Sequence, residues 1–190
     1  MQRSLGLREL IAVLGIVALF SVAATFIVLT DISNKQTGFA AGVSSVAIES
    51  IVSFSLPASE VDFGNLVQGG SNDTTDDSPS PFALRNDGNV LLDINIMANS
   101  FLFSGTGSGN NTSTFQFKAA NKSGETNSFS WPSSITDFTN FTDVNQKAIA
   151  SMNFTNASDE AEIEVKINVP PNEAAGAKSA DIIFTASQSS

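Results

Sequence analysis

Residues 10–29 (LIAVLGIVALFSVAATFIVL) are twenty consecutive positions without a charge, close to the start of a 190-residue chain. At about 1.5 Å per residue a helix of that length reaches roughly 30 Å, the thickness of the hydrocarbon layer of a bilayer. Arg3 and Arg8 stand before the run. As an anchor, residues 10–29 span the membrane with this positive head inside and the rest of the chain outside. As a cleavable signal, residues 10–20 form the apolar region and Ser21-Val22-Ala23 the small-x-small cleavage pattern. The apolar run continues through residues 25–29, where a cleaved signal turns polar, and this favours the anchor. Gly6 followed by Leu7-Arg8-Glu9 adds a third reading, a prepilin-like junction whose apolar helix becomes a filament core.

The chain changes character after this segment. Residues 31–190 carry seven basic and eighteen acidic side chains, a net charge of −11. Such a surface repels phosphate backbones and argues against a nucleic-acid partner. Cys, His and Tyr are absent. Stability therefore rests on core burial rather than disulfides, and the usual zinc ligands, thiol nucleophile and imidazole base are missing. No catalytic, cofactor or metal site is expected, and the chain reads as non-enzymatic.

The expected division is residues 1–30 as membrane anchor or signal, 31–42 as a polar stalk, and 43–190 as one extracytoplasmic β-domain. Within the last part, apolar residues alternate over short runs separated by turn residues, the period-2 signature of half-buried strands. The runs are residues 46–56, 82–84, 90–96, 115–117, 148–154, 163–169 and 182–186. The clearest is Ile163, Val165, Ile167 and Val169 with Glu162, Glu164 and Lys166 between them, which predicts a buried apolar face and an exposed charged one. Pro170-Pro171 ends that run, since proline cannot donate to a ladder. Asn86-Asp87-Gly88-Asn89 predicts a turn after which the flanking strands pair. About seven strands with no later amphipathic helix predict an all-β fold, an immunoglobulin-like antiparallel sandwich preceded by one hydrophobic helix.

Three groups of residues invite a functional reading. Seven N-x-S/T sequons, at Asn72, Asn110, Asn111, Asn121, Asn140, Asn153 and Asn156, mark candidate glycosylation sites in an exported domain. Asp73, Asp76 and Asp77 share one short loop that offers oxygens to Ca²⁺, without the spacing of an EF-hand. Phe129, Trp131, Phe138 and Phe141 lie in a weakly patterned stretch expected to close an open end of the sandwich, or else to form a platform for sugar. Asp159, Glu160, Glu162 and Glu164 read as a charged face rather than a catalytic pair.

Val61-Asp62-Phe63-Gly64-Asn65-Leu66-Val67-Gln68-Gly69, followed by Phe82-x-Leu84-x-Asn86-x-Gly88-Asn89-Val90, resembles the camelysin/TasA family of biofilm-fibre subunits and its archaeal bundling-pilus relatives. The overall plan, a short head, one hydrophobic segment and a Cys-free, sequon-rich β-domain, is similar to archaellins and archaeal type IV pilins. Leu5 stands where archaeal prepilins have Lys or Arg, and Glu9 comes two positions before the bacterial glutamate. Both resemblances imply a structural role at the cell surface: a membrane-tethered structural or adhesion protein whose copies associate into filaments. The alternative expectation is an extracellular module that binds carbohydrate or calcium.

Overall fold

The computed structural model describes residues 6–33, 45–100, 102–104 and 113–190. The chain divides into two compact units, Met1–Ala47 and Ile48–Ser190. The first contains one helix, α1 (Leu7–Ser33). Its start is closed by Glu9, whose carboxylate accepts the Gly6 amide at 3.1 Å, an acidic side chain where the helix presents unpaired amides. A window of 19 residues, Leu7–Thr25, has mean hydropathy 2.1, is long and apolar enough to cross a membrane, and has none of its residues buried. The head residue Arg3 and most of the expected stalk lie outside the described residues.

The second unit is built from antiparallel strands. In chain order these are β1 (Phe54–Ala58), β2 (Ser71–Asp73), β3 (Phe82–Asn86), β4 (Leu92–Ala98), β5 (Phe115–Asn121), β6 (Thr139–Asn140), β7 (Gln146–Met152), β8 (Glu160–Asn168) and β9 (Ile182–Gln188). One sheet runs β1-β3-β8-β5-β6, with β2 joining the β3 side of β8, and the other runs β7-β4-β9. Leu84, Ile163, Val165 and Phe117 of the first sheet and Leu92, Ile94, Ile96 and Met152 of the second belong to one buried apolar cluster. At roughly 1.5–3 kcal/mol for each fully buried side chain, this shared core is the main favourable term in a chain without disulfides.

Each of the seven longer strands overlaps one of the seven apolar runs, and the two short ones, β2 and β6, are additions. Their order differs from that of an immunoglobulin constant domain. Counting the longer strands alone, the sheets read first–second–sixth–fourth and fifth–third–seventh. The immunoglobulin order is first–second–fifth–fourth and third–sixth–seventh. The sixth strand, β8, thus occupies the central place that the fifth holds there.

Two expectations of strand extent are corrected. The strand foreseen over residues 46–56 is ladder-paired only from Phe54, and Val46 and Ile48 are 87% and 81% exposed. Residues 49–53 instead lie against the turn after β3: the Asn89 amide donates to the Ile51 carbonyl (3.1 Å) and the Asp87 amide to that of Ser53 (3.0 Å). The run through Phe154 stops at Met152, and within β7 Ser151 takes a positive φ of 52° where the ladder with β4 shifts register. Phe154 is consequently 40% exposed.

Candidate functional site

The turn 86–89 does not join paired strands: β3 lies in one sheet and β4 in the other. The reason is the buried Asn86 side chain. Its Nδ2 donates to the Val90 carbonyl (2.9 Å) and to the Met152 carbonyl at the end of β7 (3.1 Å), while its Oδ1 accepts the Gly88 amide (3.0 Å). One carboxamide thereby holds the corner between the sheets. Gly88 is obligatory for a separate reason. A Cβ there would stand 2.2 Å from the Ile51 carbonyl oxygen, so only glycine lets residues 49–53 approach.

The charged face foreseen on β8 is not exposed. Glu162 and Glu164 are only 5% and 6% accessible. Their strand is central, with β3 and β2 along one side and β5 along the other, so long neighbouring side chains cover its outer face. Lys122 Nζ reaches Glu162 Oε1 at 2.7 Å. Glu164 accepts a short hydrogen bond from the Thr74 hydroxyl, which itself accepts the Val165 amide at 2.9 Å. Thr74 fills the gap where β2 ends and β3 has not begun, and its side chain completes the ladder of β8. Burial pushes the Glu164 carboxyl above its ordinary range and the nearby Glu162 adds to this, against the lowering by the Thr74 hydroxyl.

The acidic loop turns inward on itself. Asp73 accepts the Thr75 amide at 3.1 Å and a short bond from the Thr75 hydroxyl, which holds its carboxyl below the usual range. Asp76 accepts the Ser78 amide at 3.1 Å. Among the described residues no three His, Cys, Asp or Glu side chains group so as to hold a metal ion. The chemistry of this loop is that of Asx turns.

Two further carboxylates are structural. Buried Glu173 accepts the Ser104 amide (2.9 Å) and hydroxyl (3.1 Å) and pairs with Lys178 Nζ (2.6 Å), while its backbone carbonyl accepts Gln68 Nε2 (2.6 Å). It ties three loops at one end of the unit. Asp93 on β4 pairs with Lys147 on β7 and accepts the Ser151 amide at 3.0 Å. Burial raises the Asp93 carboxyl, but Lys147, the Ser151 amide and Ser189 outweigh it and hold the group below its ordinary value.

The four aromatics do not form one platform. Phe141 is fully buried against Phe115 and Phe117, with centroids at 4.3 and 4.8 Å, and Phe129 is buried as well. Trp131 stacks on Phe129 at 5.6 Å and remains 49% exposed. Phe138 lies apart, under the ammonium groups of Lys118 (4.9 Å) and Lys166 (5.5 Å). The expectation that this stretch closes the core holds for Phe129 and Phe141.

The sequons are distributed unevenly. Asn72 is in β2, Asn140 in β6, and Asn121 is the last residue of β5. Asn153 and Asn156 lie in the loop between β7 and β8, while Asn110 and Asn111 fall outside the described residues.

Residues that the sequence pattern passed over are the buried polar ones, Asn86, Thr74 and Glu173. The turn motif accounts for Asn86 only as a turn former, yet an Asn at the apolar parity of Phe82 and Leu84 is the signal that its side chain faces the core. Thr74 and Glu173 carry no such periodicity. No protein-family model and no curated protein sequence matches this chain.

Proposed function

We propose that this is a non-enzymatic surface protein, anchored in a membrane through residues 10–29, whose β-unit stands outside the cytoplasm in a structural or adhesive role. The observation that carries this reading is α1: an apolar helix of 27 residues whose membrane-length window covers no core. In water such a surface is strongly unfavourable, and lipid or the matching helix of another copy satisfies it. The acidic β-unit, with its buried carboxylates engaged in ion pairs and loop amides, fits a scaffold better than a reacting centre. The exposed Ile48, Ile51 and Val52 of the β-unit, with Glu49 and Ser50 between them, are apolar side chains that association with further copies into filaments would cover. Limited protease treatment of intact spheroplasts, followed by alkaline extraction of their membranes, tests the proposal. The β-unit should be digested from outside, and a short α1 fragment should stay with the lipid. A protected β-unit, or an α1 fragment released by alkali, would overturn it.

A further inference from the structure

The five sequons within the described residues differ in whether the folded chain presents them. N-linked carbohydrate is bulky and hydrophilic, so its Asn must be at the surface and the hydroxyl two residues on must be reachable by the transferring enzyme. In Asn72-Asp73-Thr74 that hydroxyl is fully buried and engaged with Glu164 and the Val165 amide. In Asn140-Phe141-Thr142 the middle residue is fully buried in the core, and the Asn140 Oδ1 is held by Gln116 Nε2 at 3.2 Å. In Asn156-Ala157-Ser158 the serine is buried, with its Oγ 2.7 Å from that of Thr155.

The remaining two have exposed hydroxyl-bearing residues. Asn121 and Ser123 are both exposed where β5 ends. Asn153, itself half-buried, begins a loop in which Phe154 and Thr155 are exposed. The Thr155 hydroxyl, although it lies 2.7 Å from Ser158 Oγ and 3.4 Å from Asn153 Oδ1, belongs to an exposed residue. The Asn153 Oδ1 accepts the Phe154 amide at 2.8 Å and the Thr155 amide at 3.3 Å. Those bonds run to the amide oxygen, whereas a glycan is carried on the nitrogen, so glycosylation leaves the turn intact. The two sites share one end of the unit. Asn121 pairs with Ala161 at the start of β8, just after the loop, and the Asn153 amide donates to the Ser128 carbonyl beyond β5 at 2.7 Å. Asn72 and Asn140 lie toward the other end, where β2 meets Ile167 of β8 and β6 meets Gln116 of β5.

We infer that Asn121 and Asn153 carry N-linked carbohydrate, clustered at one end of the β-unit, and that Asn72, Asn140 and Asn156 stay bare. The inference rests on the surface location proposed above. Full-length protein from the membranes of its own cells, digested and read by intact-glycopeptide mass spectrometry, tests it without any substitution. Peptides spanning Asn121 and Asn153 should bear sugar, and those spanning the other three should have their unmodified mass. Asn121→Gln and Asn153→Gln should each remove one glycan's mass from the intact protein. A bare Asn121 or Asn153, or sugar on Asn72, Asn140 or Asn156, overturns the inference. Protease shaving of the same cells separates the two ideas: a digested β-unit with bare Asn121 and Asn153 defeats the glycan assignment alone, whereas a protected one defeats the surface location as well.

Discussion

The Asn86 carboxamide donates to the Met152 carbonyl across 3.1 Å, a bond from the last residue of β3 in one sheet to the last residue of β7 in the other. Asn86→Ala is therefore expected to destabilise the β-unit by about 3 kcal/mol, since each buried polar group left unsatisfied costs about 1–3 kcal/mol. Asn86→Asp should be at least as harmful, because it removes both donated bonds and adds a buried charge. Urea denaturation midpoints measure both; a shift no larger than that of a surface substitution would contradict the role given to Asn86.

Gly88→Ala should act through residues 49–53. The new methyl would collide with the Ile51 carbonyl, so either the segment leaves the turn or the turn deforms, at about 1–3 kcal/mol. Hydrogen exchange reads this directly. The Ile51 amide, which donates to Asn89 Oδ1 at 2.7 Å, should lose its protection in the variant while the β8 amides keep theirs.

Glu164 sets one part of the pH dependence. Its folded carboxyl titrates above the unfolded one, so the fold holds more protons there, and stability falls as pH rises from the ordinary carboxylate value through the raised one. Glu164→Gln keeps an acceptor for Thr74 and removes the charge. The variant should be more stable than the parent at neutral pH, with the advantage vanishing in acid. Thr74→Val should be less stable at every pH, because it strands the Val165 amide and the Glu164 carboxylate together. Thermal melts across the pH range distinguish the two.

Asp93 works in the opposite sense. Its folded carboxyl titrates below the ordinary value, so its contribution is complete above the unfolded value and disappears as pH falls through the folded one. Asp93→Asn should lower the melting temperature at neutral pH and match the parent at the acid end of the range. A constant offset across all pH values would show that the ion pair with Lys147 is not the source.

Val165→Asp should abolish cooperative unfolding, since it places an unpaired charge in the core beside Ile163 and Ile167. Glu164→Lys, which a charged solvent face would tolerate, is now expected to destabilise as well, because that position is covered and opposed by Thr74. Circular dichroism melts of the two variants provide the check.

How far the fold was legible depended on which force fixed each part. The alternation of Ile163, Val165 and Ile167 marks their buried face, because period 2 and a shared core impose it directly. Pro170-Pro171 likewise marks the end of β8 at Asn168. Alternation says nothing about what lies over the second face, so Glu162 and Glu164 were misplaced: their cover comes from Thr74 and Lys122, remote in sequence. Residues 46–52 alternate as a strand should, yet their backbone meets a turn instead of a ladder, and no local pattern encodes that choice. The corner at Asn86 escapes local pattern for a related reason. Asn-Asp-Gly-Asn specifies a reversal, while the sheet that the chain enters next is decided by a carbonyl on β7, some sixty residues downstream. Among the sequons, the motif is local but the burial of Thr74, Phe141 and Ser158 is a tertiary fact.

The strand order has a consequence for how this protein comes into being. β3 and β5 gain their shared neighbour only with β8, and β4 gains the second of its two neighbours only when β9 (Ile182–Gln188) arrives. A chain emerging N-terminus first can pair β1 with β3, β5 with β6 and β4 with β7, but neither sheet is complete until β8 and β9 follow, and pairings this distant in sequence are slow to close. Completion of the β-unit is therefore a late event in synthesis, set by the two strands that seal its sheets.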